Sequence, residues 1–271
     1  MGYIRLPEDE LRTRPTAIEA LAARPAAGAL VLDFDGVLAP IVADPETSAM
    51  PERAAASLAR LVASLGTVAV ISGRPASFLA GRVRVPGIRL LGSYGMEEIK
   101  DGNVQLSPAA AEWLAAVGTA RDALARLLGT LPGVWIEDKP ISVAVHWRQA
   151  PDRAAAAAAV EKATARVAAG TGLRLEPGKL VFELRPPVDV DKGSAVAGLI
   201  SEARPAVTVY AGDDLGDLPA LRVVRETGGY GLAVDHGAET DQELLAAADE
   251  VIAGTDGFAD WLTELARAVQ N

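Results

Sequence analysis

Residues 29–37 have the sequence Ala-Leu-Val-Leu-Asp-Phe-Asp-Gly-Val, an apolar run that ends in two closely spaced carboxylates. Along a β-strand, side chains at positions i and i+2 face the same way. Asp33 and Asp35 therefore leave the strand end on one side, while Phe34 points into the core. Carboxylates beside a buried strand are costly unless something uses them. Since an open parallel sheet binds its ligands at the carboxyl edge of its strands, we expect this pair to lie at a site of chemistry.

The order of predicted elements indicates an α/β fold with a Rossmann-like parallel sheet. The apolar strand at 29–34 precedes a helix with 3.6-residue periodicity at 51–65 and a second apolar strand at 67–72. The same alternation resumes with a helix over 192–203 and a strand over 206–210. Apolar strands that alternate with helices predict a parallel sheet covered on both faces.

A different pattern occupies residues 104–187. A predicted helix over 108–128 precedes the strand 142–147, in which Val143 and Val145 alternate with residues of the opposite face. Such alternation is typical of an antiparallel sheet with one exposed face. We therefore predict a catalytic core formed by residues 1–103 and 188–271, and an inserted α/β module at 104–187.

Composition limits the classes of partner. The chain has 271 residues, is 50% hydrophobic and carries a net charge of -10. It can bury a core, but it lacks the basic surface that nucleic acid or an anionic membrane requires. It contains no cysteine, which excludes thiol nucleophiles, disulfides and zinc–thiolate sites. Residues 1–15 contain no apolar signal core, and we expect a monomeric, cytoplasmic protein that acts on a small molecule.

Polar clusters lie at four predicted strand ends or at the helix start beside them. They are Asp33 with Asp35, Ser72, Lys192, and Asp213 with Asp214 and Asp217. Taken alone, each cluster has a structural explanation as a turn, a cap or a solvated loop. Together they predict phosphoryl transfer, because one carboxylate can attack phosphorus while a second protonates the leaving oxygen and then activates water. Carboxylates also suit Mg²⁺, and a lysine and a serine before a helix N-terminus suit phosphoryl oxygens.

This arrangement resembles the haloacid dehalogenase superfamily of magnesium-dependent phosphatases. The matching motifs are Asp33-Phe-Asp-Gly-Val37, Ser72, Lys192 and Gly212-Asp-Asp-x-x-x-Asp217. The resemblance implies that Asp33 is the nucleophile and Asp35 the general acid and base, with Ser72 and Lys192 completing the catalytic set. It implies Mg²⁺ ligands from Asp33, the main-chain oxygen of Asp35, Asp213 and Asp214, supported by Asp217. The inserted module then corresponds to a cap that selects the substrate.

Within that superfamily, the chain is most similar to the trehalose-6-phosphate phosphatases. Residues 32–42, followed by Asp44-Pro45, and residues 70–75 match the opening motifs of that family. Residues 142–148 and 178–186 resemble its cap segments "VAVHYR" and "GKxVxExRP". The resemblance implies hydrolysis of trehalose 6-phosphate, with substrate contacts from Gly73, Arg74, Tyr94, Arg148, Lys179 and Glu183.

Two departures from the family pattern leave the substrate open. Tyr94 stands where the family usually has histidine, and Gly216 stands where it usually has threonine. The alternative is therefore a phosphatase of another sugar phosphate or of a pseudo-disaccharide cyclitol phosphate, of the sucrose or glucosylglycerol type. Two alternatives of another class are a non-catalytic sugar-phosphate sensor and a receiver-type signalling domain. Asp35, placed two residues after Asp33, argues against both. His236 is expected to be a loop residue without a role in the site.

Overall fold

The computed structural model describes residues 14–42 and 47–270, which form two β-sheets covered by helices. The strands are β1 (Gly28–Leu32), β2 (Thr67–Ile71), β3 (Arg89–Gly92), β4 (Glu97–Lys100), β5 (Asn103–Leu106), β6 (Trp135–Lys139), β7 (Ser142–His146), β8 (Arg174–Gly178), β9 (Val181–Arg185), β10 (Val207–Gly212), β11 (Tyr230–Asp235) and β12 (Glu250–Ala253). The α-helices are α1 (Ala17–Ala23), α2 (Glu52–Ser64), α3 (Ala76–Arg82), α4 (Pro108–Ala111), α5 (Leu114–Leu128), α6 (Arg153–Thr171), α7 (Lys192–Ala203), α8 (Leu218–Glu226), α9 (Gln242–Ala247) and α10 (Gly254–Ala268).

The larger sheet has eight strands in the order β12-β11-β10-β1-β2-β3-β4-β5. The six strands from β12 to β3 pair in parallel, and β3 pairs with β4 in antiparallel fashion. All five residues of β1 are buried, because helices cover both faces of the sheet. Leu30 and Leu32 pack into a core with Leu58 and Leu262, whereas Val31 packs into the opposite core with Leu221. The predicted α/β class with a parallel sheet is confirmed.

Residues 105–189 form a separate compact unit, and the remaining residues form the other unit. The smaller unit contains an antiparallel sheet in the order β6-β7-β9-β8. Its apolar face, which includes Val143, Val145 and Leu184, packs with residues of α5 and α6. Its other face carries polar side chains such as His146 and Glu183, as expected for a sheet with one open face.

One local prediction was wrong, and two strands were not predicted. The helix predicted over 108–128 is divided into α4 and α5, and Trp113 between them has φ -98° and ψ -3°. The adjacent strands β4 and β5 were not predicted, because each has only four residues and β5 is largely exposed. The signal for them is the Asp101-Gly102 turn, whose φ angles of 51° and 76° suit a two-residue connection between strands.

Two sequence features lie outside the described residues: most of the polar segment 1–15 and the Asp44-Pro45 pair. In the part of the chain that the structure describes, no helix is both long and apolar enough to cross a membrane.

Candidate active site

A cavity of about 780 Å³ lies in the larger unit, where the parallel strands end. The side chains and loops after β1, β2, β3 and β10 and the start of α7 converge on it, as the rule for open parallel sheets predicts. Nine of the predicted site residues line it: Asp33, Asp35, Ser72, Gly73, Arg74, Tyr94, Lys192, Asp213 and Asp214. The sequence positions of these residues span more than half of the chain, so the fold alone brings them together.

Lys192 is buried between two carboxylates. It is the first residue of α7, which begins there because the Asp191 carboxylate accepts a hydrogen bond from the Ser194 N–H at 2.7 Å. Its Nζ lies 2.9 Å from Asp33 Oδ2 and 2.7 Å from Asp217 Oδ1. Burial alone would lower the pKa of Lys192, but the carboxylates of Asp33 and Asp217 outweigh burial and raise it above its usual range. Lys192 therefore remains an ammonium between Asp33 and Asp217.

Asp217 is fully buried, and both of its carboxylate oxygens are occupied. Oδ1 accepts hydrogen bonds from Lys192 Nζ and from the Tyr210 hydroxyl. Oδ2 accepts from the backbone N–H groups of Asp213 at 2.9 Å and Asp214 at 3.1 Å. Asp217 thus fixes both the lysine and the loop after β10. Tyr210 was not predicted as a site residue; its signal is a tyrosine within an apolar strand, two residues before the glycine of the acidic motif.

Carboxylate oxygens of Asp33, Asp213 and Asp217 lie within 4.8 Å of one another. Burial raises the pKa of Asp33 well above its usual range; Lys192 opposes this shift, and the charges of Asp217 and Asp213 add to it. Burial, with the charges of Asp217 and Asp214, raises the pKa of Asp213 to about 7. Buried carboxylates that disfavour each other's ionisation suit a hard divalent cation, which reverses this repulsion. Because the oxygens of Asp217 are already occupied, Asp33 and Asp213 are the side chains that fit such an ion.

The carboxylate of Asp214 has a local hydrogen-bonding partner. Its Oδ1 accepts from the Gly216 N–H at 2.8 Å and so closes a turn within the acidic motif. Burial raises the pKa of Asp214, and Lys192 opposes this shift. The predicted role of Asp214 as a metal ligand stays a prediction. Gly216, which departs from the family pattern, contributes its backbone to this turn.

Asp35 is held in position by Arg74 and Ser48. Arg74 Nε donates to Asp35 Oδ2 at 2.8 Å, and its Nη2 donates to Oδ1 at 3.2 Å. The buried Ser48 donates through its Oγ to Oδ1 at 3.0 Å. Arg74 was predicted to contact substrate, but in the structure its guanidinium contacts Asp35, the predicted general acid and base. Ser48 was not predicted, and a lone serine in a loop carries no sequence signal for this contact.

The loop after β3 brings Tyr94 to the cavity. Ser93 and Tyr94 have φ angles of 49° and 60°, which residues other than glycine adopt only at some cost. The loop is anchored because the Tyr94 N–H donates to the Ser72 carbonyl at 2.9 Å and Ser93 Oγ donates to buried Glu97 at 2.6 Å. Glu97 also accepts from the first N–H of α3 at 2.9 Å. A Cβ at Gly73 would lie 2.8 Å from the Tyr94 ring, so a larger residue there would require the tyrosine side chain to shift.

His236 follows β11 and also lines the cavity. It lies in a loop, as predicted, but its Nε2 is 2.8 Å from the Gly36 carbonyl oxygen and 3.9 Å from Asp213 Oδ2. Its place in the site was not predicted. The available signal was its place just beyond a predicted parallel strand, the same criterion that identified Asp213.

The predicted sugar-binding residues lie in the smaller unit. Arg148 Nη2 is 3.5 Å from the Lys179 carbonyl oxygen. Glu183, on the open face of the antiparallel sheet, accepts from Ser142 Oγ at 2.5 Å and from Lys139 Nζ at 3.2 Å. Two further partners on that face, Trp135 stacked on His146 with 4.7 Å between ring centroids, and Glu137 at 2.9 Å from His146 Nε2, were not predicted. The substrate role of the three predicted residues stays a prediction.

Comparison with known proteins identifies relatives along most of the chain. A sequence profile described as trehalose-phosphatase matches residues 31–249. A trehalose-phosphate phosphatase of Mycobacterium marinum is 36% identical over 88% of this chain and 65% of its own length. The corresponding protein of Mycobacterium tuberculosis strain H37Rv is 34% identical over 98% of this chain and 69% of its own length. The chain thus spans about two thirds of the length of these relatives.

Solved structures share the fold. A structure described as a trehalose-6-phosphate phosphatase related protein aligns with a TM-score of 0.70 and 21% identity, covering 88% of this chain and 97% of its own. The C-terminal domain of the Candida albicans trehalose-6-phosphate phosphatase aligns with a TM-score of 0.68 and 21% identity, covering 94% and 97%. A haloacid dehalogenase-like hydrolase from Bacteroides thetaiotaomicron aligns with a TM-score of 0.58 and 17% identity, covering 88% and 99%. The haloacid dehalogenase-like fold is therefore established.

Proposed function

The chain belongs to the trehalose-phosphatase family, and on that premise we propose that it hydrolyses trehalose 6-phosphate to trehalose and phosphate. The observation that carries the proposal is the buried Lys192 ammonium, which lies 2.9 Å from Asp33 Oδ2. The ammonium opposes the rise in the Asp33 pKa that burial causes, and so favours the ionised form that a nucleophile requires. The carboxylate of Asp35 lines the same cavity and is fixed in orientation by Arg74, which suits a second, proton-transferring carboxylate.

In the first step, an Asp33 carboxylate oxygen attacks the phosphorus atom, and the bond between phosphorus and the sugar oxygen breaks. Asp35 gives its proton to the departing sugar oxygen, so that the sugar leaves as an alcohol. Lys192 and the Ser72 hydroxyl compensate the negative charge on the phosphoryl oxygens. Asp33 then carries the phosphoryl group as an acyl phosphate.

In the second step, water attacks the phosphorus of the aspartyl-phosphate. Asp35, now a carboxylate, accepts the proton of that water, and the bond between phosphorus and the Asp33 oxygen breaks. Phosphate leaves, and both carboxylates return to their starting protonation states. Arg74 keeps the carboxylate of Asp35 in one plane through both proton transfers.

We propose Mg²⁺ as the cation, bound by the side chains of Asp33 and Asp213 with the main-chain oxygen of Asp35 and with Asp214. When bound, Mg²⁺ compensates the charge of the transferring phosphoryl group and orients it. The donor set supports this choice, because hard carboxylate oxygens suit Mg²⁺ and no thiolate exists in this sequence to favour a softer metal.

We assign the contacts to the sugar part of the substrate to residues of the inserted module. Arg148, Lys179 and Glu183 would contact sugar hydroxyls, since cationic donors and a carboxylate acceptor are the groups that a polyol needs. Tyr94 favours a second candidate, a phosphatase of another sugar or of a cyclitol phosphate. It replaces the histidine usual in the family and lines the cavity on a loop with positive φ angles.

Phosphate release from trehalose 6-phosphate, sucrose 6-phosphate and glucose 6-phosphate, with Mg²⁺ and with excess EDTA, tests both candidates. We expect the highest kcat/KM for trehalose 6-phosphate and no turnover in EDTA. Equal rates for all three substrates would contradict the trehalose assignment. Binding without phosphate release would instead indicate a sensor. Asp33→Asn, which removes the nucleophile, is expected to abolish turnover.

The proposal extends to a monomeric enzyme in the cytoplasm. Light scattering after size-exclusion chromatography tests the first of these statements, and fractionation of the source cells tests the second. A stable dimer would contradict the first, and activity confined to the exported fraction would contradict the second.

A further inference from the structure

One hydrogen bond connects two strand ends that are not neighbours in the larger sheet. The strand order there is β11-β10-β1, with Asp213 immediately after β10 and Gly36 in the turn after β1. His236, just beyond β11, reaches across the end of β10 to the Gly36 carbonyl oxygen, 2.8 Å from its Nε2. A carbonyl oxygen only accepts, so Nε2 carries the hydrogen and donates it.

The carboxylate of Asp213 lies beneath this contact. Asp213 Oδ2 is 3.9 Å from His236 Nε2, and a Cβ built on Gly36 would lie 1.9 Å from the same oxygen. Gly36 has φ +77°, so the turn needs glycine both for its backbone conformation and for its closeness to Asp213. The carboxylate is therefore confined between the Gly36 backbone and the imidazole.

The remaining contacts make this arrangement stiff. The Gly36 N–H donates to the Ala39 carbonyl at 2.7 Å, which closes the turn directly after Asp35. The His236 N–H donates to Thr240 Oγ1 at 2.6 Å, which holds the backbone of the histidine. The imidazole thus joins two loops that are each ordered by their own hydrogen bonds.

From this geometry we propose that His236 is a positioning residue for the metal ligands of the site. It ties the turn that carries the main-chain oxygen of Asp35 to the loop beyond β11, and so fixes the distance between that oxygen and the Asp213 carboxylate. The inference rests on the Mg²⁺ site of the proposed function. Groups that orient metal ligands typically change metal affinity by about 10- to 100-fold when they are removed.

Calorimetric titration with Mg²⁺ alone, in the absence of substrate, tests the inference. The comparison uses the wild-type protein and the variants H236Q and H236M, whose side chains are similar in length but differ in their ability to donate. We expect H236M to raise the Kd for Mg²⁺ about tenfold and H236Q to restore most of the affinity. Q242A, an exposed substitution at the start of α9, provides the control and is expected to leave the Kd unchanged.

Steady-state kinetics supplies a second measurement. We expect H236M to have a low kcat at limiting Mg²⁺ that recovers at saturating Mg²⁺, with the KM for substrate unchanged. A Kd for H236M equal to that of the wild-type protein would overturn the inference. Equal weakening in H236M and H236Q would also overturn it, because ring shape rather than donation would then matter. If the wild-type protein binds no Mg²⁺, the proposed metal site fails and the inference fails with it.

Discussion

Arg74 donates hydrogen bonds to both carboxylate oxygens of Asp35, with Nε 2.8 Å from Oδ2 and Nη2 3.2 Å from Oδ1. A guanidinium that meets a carboxylate at two points fixes the plane of the carboxylate as well as its position. The same guanidinium lies over the Phe78 ring, 4.7 Å from its centroid, which restrains the arginine itself. In the proposed reaction Asp35 meets first the sugar oxygen and then water, so its orientation affects both steps.

The substitution R74K keeps the charge but loses the two-point contact, and R74A loses both. Because general acid–base catalysis contributes about 100-fold or more, we expect R74A to lower kcat at least tenfold and R74K to lie between R74A and the wild-type enzyme. Steady-state kinetics of phosphate release measures this, and R84K, at an exposed arginine near the end of α3, serves as the control. If R74A changes only the KM, Arg74 binds substrate and does not orient Asp35.

The Tyr210 hydroxyl donates to Asp217, which in turn holds Lys192. In Y210F, Asp217 loses one donor in a buried environment, and Lys192 is drawn more strongly toward Asp217 and away from Asp33. We expect a lower kcat, an unchanged KM and a loss of about 1–2 kcal/mol in the free energy of unfolding. Urea denaturation and phosphate release measure these quantities.

The matched control for Y210F is Y230F. Tyr230 is also a buried strand tyrosine, but its ring lies under the Arg14 guanidinium, whereas the Tyr210 hydroxyl donates to Asp217. We expect Y230F to leave kcat unchanged. The assignment of Tyr210 would be contradicted if both variants lost activity equally, since the effect would then come from the sheet and not from Asp217.

The sequence was most informative where one geometric rule sufficed. The carboxyl ends of parallel strands meet at one edge, so Asp33, Ser72 and Asp213 could be expected together from their positions after apolar runs. The structure brings them to one cavity, together with Lys192 at the start of a capped helix. Such placement follows from backbone direction alone and needs no knowledge of how the side chains pack.

The contacts between those side chains could not be predicted in the same way. His236 and Gly36 are 200 positions apart, and their contact depends on the order of three strands. Arg74 could equally have faced a phosphate, because rotamer choice in a long side chain is decided by neighbours such as Phe78. The break between α4 and α5 could not be predicted either, because the helical pattern of apolar residues continues on both sides of it.

The ion pair between Arg89 and Glu98 ties β3 to β4, and Lys100 adds a second contact. Burial alone would raise the pKa of Glu98, but its hydrogen bonds to Arg89 and Lys100 lower it overall. A lowered pKa in the folded state stabilises the protein above the unfolded-state value and loses that contribution as the pH falls through the folded-state value. We expect E98Q to lower the free energy of unfolding by about 0.5–1 kcal/mol at pH 7 and to leave it nearly unchanged at pH 3.

Urea denaturation of E98Q and the wild-type protein at several pH values between 3 and 8 measures this difference. E202Q is the control, because Glu202 pairs with the same Arg89 at 3.0 Å but has a side chain that is 64% exposed. Its effect is expected to be smaller at every pH. A pH-independent loss in E98Q would mean that packing, and not the charge of Glu98, holds the two strands together.

The charge of Asp213 raises the pKa of Asp33, and burial with the charges of Asp217 and Asp214 raises the pKa of Asp213 itself. D213N removes one of these charges, so we expect it to raise the free energy of unfolding in EDTA while removing the response to Mg²⁺. In the wild-type protein, Mg²⁺ at 100 times its Kd is expected to add about 2.7 kcal/mol, whereas D213N gains close to nothing. Urea denaturation with and without Mg²⁺ measures both effects, and D260N, at an exposed aspartate that pairs with Arg53, controls for the change in net charge. If Mg²⁺ stabilises D213N as much as the wild-type protein, Asp213 is not a ligand. If D213N is less stable than the wild-type protein in EDTA, the negative charge of Asp213 does not destabilise the folded protein.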